Sequence, residues 1–170
     1  MKPLVPEIIN LKPRKALSVI TLGDPNKVAA PFMKALYGTA YGTKMKVFKP
    51  KGIVMTLGPL SAFWPDANIK PKDEWTGIWN LEVSPFVKTS DLLQKDKDIE
   101  IKLEELKSGK AAQVLFLGKY SNEGPTIEKL HQFIREQGYK IAGNHEEVYL
   151  TRPDAKEPKT IIRYLVEKNE

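Results

Sequence analysis

The segment GNHEEVYL, Gly143–Leu150, sets a carboxylate two residues before a phenol. In an extended chain alternate side chains share a face. Glu147 therefore points the same way as His145 and Tyr149, while Glu146 goes with Val148 and Leu150. Val148 and Leu150 mark their face as the core side. Glu147 and Tyr149 then lie either on a solvated face or in the lining of a cleft. A carboxylate among aromatic rings favours cations and planar molecules, by charge pairing and stacking. Where desolvation raises its pKa, such a group also serves as general base toward water, with a tyrosine hydroxyl as proton donor. The competing use of Glu147 is a cross-strand ion pair with Arg163, and a one-residue change of register decides between them.

Aromatic residues supply candidates for the rest of a lining. Trp75 and Trp79 fall on one face of an alternating segment, Trp64 follows an extended one, and Tyr37 and Tyr41 stand one helical turn apart. Rings of this kind also pack in cores, so their types alone do not separate a ligand box from packing.

Other chemistries find less support. With no cysteine, disulfides and thiolate metal sites are excluded. His131 and His145 are the only histidines; a surface or capping role is the expectation for them, and no metal or cofactor is expected. GDPN, Gly23–Asn26, reads as a turn and lacks phosphate-loop spacing. The net charge of +6 comes mostly from lysine, and arginine occurs only at Arg14, Arg135, Arg152 and Arg163. That pattern reads as a solvated surface, and no direct nucleic-acid binding is expected. No apolar run reaches membrane-spanning length, and the first residues lack the apolar region of a secretory signal. A cytoplasmic location is the expectation.

The elements that position these residues follow from periodicity and punctuation. Residues 1–14 carry three prolines and read as an extended arm before a domain over 15–170. KALSVITLG, Lys15–Gly23, predicts a strand. Pro31 suits the first turn of a helix over about 31–42, which Gly42 ends. Extended segments follow around Gly58–Pro59 and over EWTGIWNLEVSPF, where Trp75, Gly77, Trp79, Leu81 and Val83 share a face. A short helix capped near Ser90–Asp91 and a strand at Ile99–Leu106 come next. AAQVLFLGKY, Ala111–Tyr120, suits a central strand. The clearest helix runs over about 125–137, with Ile127, Leu130, Phe133 and Ile134 as its buried stripe and Gly138 as its stop. HEEVYLTR and KTIIRYLVEK close the chain as a hairpin around Pro153–Pro158.

The order strand, helix, strand, strand thus occurs twice, over about 15–87 and 99–167. It predicts an α+β fold in which two such halves form one antiparallel sheet with both helices on one face. The opposite face, at the seam, is then the expected ligand cleft.

Several of these stretches carry a family resemblance: GDPN, ALYGTAYGTKMK, GPLSAFW, EWTGIW, VLFLGKYSNEGPTIEKLHQFIREQGYKIAGNHEEVYLTRPD and KTIIRYLV. The chain resembles the GyrI-like small-molecule-binding family over roughly residues 15–167, and within it the stand-alone members without a DNA-binding domain. The resemblance implies a duplicated strand-helix-strand-strand fold with a ligand cleft at the seam. The glutamate of its E-x-Y motif, Glu147 here, lies in that cleft, followed by Tyr149. It implies an aromatic wall of Trp64, Trp75, Tyr37 and Tyr41. Stand-alone relatives often show W-x-W where this chain has Trp75-Thr76-Gly77, with Trp79 two residues further on, so one ring is lost or displaced.

The expected function is therefore binding of a small aromatic or cationic drug-like molecule. The resemblance also implies an alternative, a hydrolase that opens cyclopropane rings of DNA-alkylating natural products, with Glu147 as general base. A tetrapyrrole is a third ligand class, against which the lack of a convincing histidine ligand argues.

Overall fold

A computed structural model describes all residues, Met1–Glu170. It contains two helices and nine strands, an α+β fold, and divides into two compact units. One is Arg14–Lys107; the other joins Met1–Pro13 to Ser108–Glu170.

In the unit Arg14–Lys107 the strands are β2 (Arg14–Leu22), β3 (Leu57–Phe63), β4 (Thr76–Val83) and β5 (Lys102–Leu106), in the order β3-β4-β2-β5. All these pairings are antiparallel. On β2, Leu17, Val19 and Thr21 are buried, whereas Ile20 and Leu22 on the other face are exposed. Helix α1 packs against β2. The register of β3 shifts between Leu57 and Leu60, at the Gly58–Pro59 step, because proline cannot donate to the ladder.

Helix α1 spans Pro25–Gly42, so it starts a turn and a half before the expected Pro31. The GDPN segment is its entry: Asp24 Oδ1 accepts from the Asn26 N–H at 2.9 Å, and Pro25 occupies the first turn. Pro31 sits inside the helix. Gly42 does not end it either; the helical path widens into a π-turn over Thr43–Phe48. The stop comes at Gly52, in the left-handed region at φ 72°. The expected helix near Ser90–Asp91 is a single turn, Thr89–Asp91.

The other unit repeats this plan. Its strands are β1 (Glu7–Leu11), β6 (Gly109–Leu117), β7 (Tyr139–Ile141), β8 (Glu146–Tyr149) and β9 (Lys159–Lys168). They order as β1-β6-β9-β8, with β7 also paired to β9, all antiparallel. Each unit holds the same three-strand core, in which the strand before the helix pairs with the later of two strands that follow it, and that strand with the one before it: β2-β4-β3 and β6-β9-β8. The strand-helix-strand-strand repeat expected from the sequence is thus present, each half with its own helix. The proline-rich arm supplies β1, which covers the free edge of β6.

Helix α2, Gly124–Glu136, seals this second core. Leu130 and Ile134 pack on Ala112, Val114, Phe116, Ile162, Tyr164 and Val166; Ile127 and Phe133 join only partly buried. Gly138 stops the helix at φ 80°. No helix of the chain is long and apolar enough to cross a membrane.

Candidate functional site

The register of β8 on β9 decides where its two glutamates go. Glu146 pairs with Arg163 and Glu147 with Ile162. On one face a polar row crosses four strands: Glu7, Gln113, Arg163 and Glu146. Gln113 donates to Glu7 at 2.8 Å, and Arg163 donates to Gln113 at 2.9 Å and to Glu146 at 3.0 Å. Glu146, not Glu147, is therefore the ion-pair partner of Arg163.

Glu147 belongs to the opposite face, in the row Val114, Ile162, Glu147. Val114 and Ile162 are core residues beneath α2. This corrects the expected assignment of faces: Glu147 shares the helix-bearing face of the sheet, not the bare one. Leu150, expected on the core side, is exposed, while Val148 is buried. Two apolar residues were too few to identify the face, because a buried ion pair occupied the position beside them.

Glu147 is only 8% exposed and its two oxygens are engaged differently. Tyr149 donates to Oε1 at 3.2 Å. Oε2 lies 2.7 Å from His145 Nε2, and His145 Nδ1 lies 2.6 Å from the Tyr164 hydroxyl. Burial, then the charges of Glu147, Glu123 and Glu128, hold the Tyr164 phenol well above its usual range. An ionised Glu147 can only accept, so beside a carboxylate Nε2–H donates to Glu147 and a neutral ring takes the Tyr164 O–H at Nδ1. His145 is thus a link in a hydrogen-bonded chain rather than the surface or capping residue expected. His131, on α2, meets the same Tyr164 ring edge-on at 5.1 Å, and burial holds its imidazole below the usual range.

A second carboxyl joins this set. Glu123, at the N-terminal end of α2, is 8% exposed. Burial, then the charge of Glu147 and a hydrogen bond to it, pushes its pKa up to about 9. Like charges brought together out of water cannot both ionise freely, so at neutral pH Glu123 holds its proton. Tyr120 and Tyr149 meet edge-on at 5.7 Å beside the pair, and the Tyr120 phenol is raised by burial and by both carboxylates.

Of these residues only Glu147 and Tyr149 stood out in the sequence. Tyr164 had a usable signal: it alternates with Thr160 and Ile162, so once Ile162 faces Glu147 the tyrosine must share that face. Glu123 had none, since a glutamate before Gly-Pro reads as an ordinary helix entry.

The aromatic candidates all belong to the unit Arg14–Lys107. Trp64 stands at the centre of three indoles, 5.9 Å from Trp75 and edge-on to Trp79 at 5.2 Å. The loop before β4 orients Trp75, whose Nε1–H donates to the Lys70 carbonyl at 3.0 Å. Asp66 braces that loop by accepting from the Thr76 N–H at 2.9 Å. Trp79 Nε1–H donates to Thr21 Oγ1 at 2.9 Å. A Cβ on Gly77 would lie 2.8 Å from Thr21 Oγ1, 2.8 Å from Trp79 Nε1 and 3.0 Å from Trp64 Cζ3. The departure from W-x-W thus has a physical cause: the Trp79 indole lies over residue 77, leaving no room for a side chain. On α1, Tyr37 and Tyr41 stack at 6.3 Å, with Tyr41 exposed.

The side chains around Glu147 place two carboxyls together and link one of them through His145 to a buried phenol; the unit Arg14–Lys107 separately groups three indoles. Comparison with known proteins agrees with a ligand-binding fold. A hydrolase from Listeria innocua has a structure matching at TM-score 0.83 and 25% identity, covering 98% of this chain and 94% of its own. An uncharacterized conserved protein from the same organism matches at TM-score 0.84 and 27% identity, over 97% and 93%. SAV2435 bound to tetraphenylphosphonium matches at TM-score 0.56 over 96% and 94%; at 11% identity this shows the fold alone. No curated protein matches the chain. The profile of the GyrI-like small molecule binding domain covers residues 5–166, nearly the whole chain. On that match, together with the duplicated fold, the chain belongs to the GyrI-like small-molecule-binding family.

Proposed function

We propose that the chain binds small aromatic or cationic molecules, with Glu147 as the residue that selects them. The observation that carries this is a carboxyl in a row of core residues, linked to His145 and Tyr149 and beside a second carboxyl. Both oxygens of Glu147 already have hydrogen-bond partners, but a second carboxyl beside it leaves the pair crowded with like charge, which a positively charged ligand would offset. Within the unit Arg14–Lys107, Trp64, Trp75, Trp79, Tyr37 and Tyr41 are the residues proposed to contact planar rings. The tetraphenylphosphonium held by SAV2435 is a cation rich in aromatic rings, the same ligand chemistry. No nucleic-acid contact is part of this reading.

The second reading is hydrolytic, favoured by the likeness to a Listeria innocua hydrolase and by the directed Tyr164–His145–Glu147 chain. Glu147 takes a proton from water, and the oxygen attacks a carbon of a strained cyclopropane. The ring C–C bond breaks, its electron pair passes into the conjugated carbonyl, the Tyr149 hydroxyl supplies the proton that oxygen takes up, and Glu147 returns its proton to the Tyr149 phenolate across their hydrogen bond. The net change is addition of one water.

Thermal melting against planar cations, cyclopropane electrophiles and porphyrins separates the readings, because a ligand of the native state raises the midpoint by mass action. Cations alone shifting the midpoint supports the binder. A cyclopropane substrate that gains the mass of one water places the hydrolase first. A panel with no shift contradicts both.

A further inference from the structure

Glu123 is the buried group that the family motif does not include. The residue is 8% exposed, and its Oε2 is buried with no hydrogen-bond partner. A buried oxygen with nothing donating to it calls for a donor, because leaving it unpaired away from water is unfavourable. Around it stand Glu147 from β8, Tyr120 from the turn before α2, and Tyr164 from β9. Each phenol is held protonated by burial and by the two carboxyls, so Glu147 is the charge that acts on Glu123. Tyr120 is 38% exposed and edge-on to Tyr149.

We propose that Glu123 and Glu147 together recognise a cation bearing an N–H, an ammonium or amidinium, and that this cation displaces a proton from the carboxyl pair as it binds. The inference rests on the small-molecule-binding reading and narrows its ligand class. The ligand N–H donates to Glu123 Oε2, the carboxylic proton leaves to solvent, and the incoming charge offsets the repulsion between the two carboxylates. A quaternary cation has the charge but no hydrogen to give, so it leaves Oε2 unsatisfied. Proton release has a defined sign. The empty site holds its proton up to about pH 9, so affinity for an N–H cation rises with pH below that value, by up to about tenfold per unit.

The test uses the full chain and a matched pair, dimethyl(2-naphthylmethyl)ammonium and its trimethyl counterpart. They share ring, charge and nearly volume, and differ by one N–H. Calorimetry at about pH 7 in buffers of different ionisation heat reads the protons released. The expected result is at least tenfold tighter binding of the dimethyl compound, with close to one proton released, and neither effect in Glu123→Gln. Equal affinity for the pair, or no proton release by the wild-type chain, overturns this inference and leaves cation binding standing. If neither ammonium binds, the cation-binding reading of Glu147 falls with it. The wild-type measurement decides the matter even if Glu123→Gln fails to fold.

Discussion

Replacing Glu123 by glutamine keeps the shape of a protonated carboxyl and removes its titration. In the unfolded chain Glu123 ionises near its ordinary 4.5; in the folded chain it holds its proton to about 9. Between those values the folded state binds more protons than the unfolded one, so stability declines as pH rises. The contribution is fully present below about pH 4.5 and is lost as pH climbs through about 9. The limiting slope is about 1.4 kcal/mol per pH unit, which from 4.5 to 7 sums to a ceiling of roughly 3 kcal/mol. Glutamine is neutral throughout and carries none of this dependence. Glu123→Gln should match the wild type near pH 4.5 and exceed it by about 2–3 kcal/mol at pH 7, or roughly 5–10 °C in melting midpoint. Urea unfolding of both chains at four pH values between 4.5 and 8.5 measures the difference directly. Parallel stability curves over that range refute the reasoning, because they mean Glu123 does not carry a raised pKa in the fold.

Two further changes test the supports around the site. Arg163→Met strands Glu146, whose side chain is 3% exposed, and should destabilise by about 3–5 kcal/mol, with strong non-additivity when combined with Glu146→Gln. Additive losses measured by chemical unfolding would show that the two residues do not act as a pair. Gly77→Ala drives a methyl into Thr21, Trp79 and Trp64, and should cost about 1–3 kcal/mol while altering the near-ultraviolet circular dichroism of the indoles. An alanine variant with wild-type stability and spectrum would remove the packing account of the missing W-x-W ring.

The sequence carried the element order because the signals involved are local. The stripe at Leu130 and Ile134, the glycine at 138 and the alternation through Trp79, Leu81 and Val83 each reflect a single strand or helix meeting water on one side. Start and stop signals were read less well. Pro31 looked like a helix start because proline suits a first turn, yet Asp24 and Pro25 supply the cap and the same preference a turn and a half earlier. Strand partners were the least legible. β1 pairs with β6 rather than with β2, which follows it directly in the chain, and nothing local specifies that choice. The site depended on such pairings. Glu146 and Glu147 are identical in type and adjacent, and only the register that sets Glu146 against Arg163 assigns them different roles. Glu123 reaches Glu147 across 24 residues of chain, a proximity that only the folded helix α2 creates.

The central claim is that the carboxyl of Glu147 selects the ligand. Its most direct test is the affinity of a planar aromatic cation for wild-type and Glu147→Gln chains, measured side by side by calorimetry. The variant keeps the side-chain volume and can still accept from Tyr149, but lacks the charge. It should bind the cation more weakly by about 1.5–3 kcal/mol, the worth of a hydrogen bond to a charged group, while a neutral ring of the same shape binds both chains alike. Equal affinity of the two chains for the cation, with the variant folded, would contradict the account.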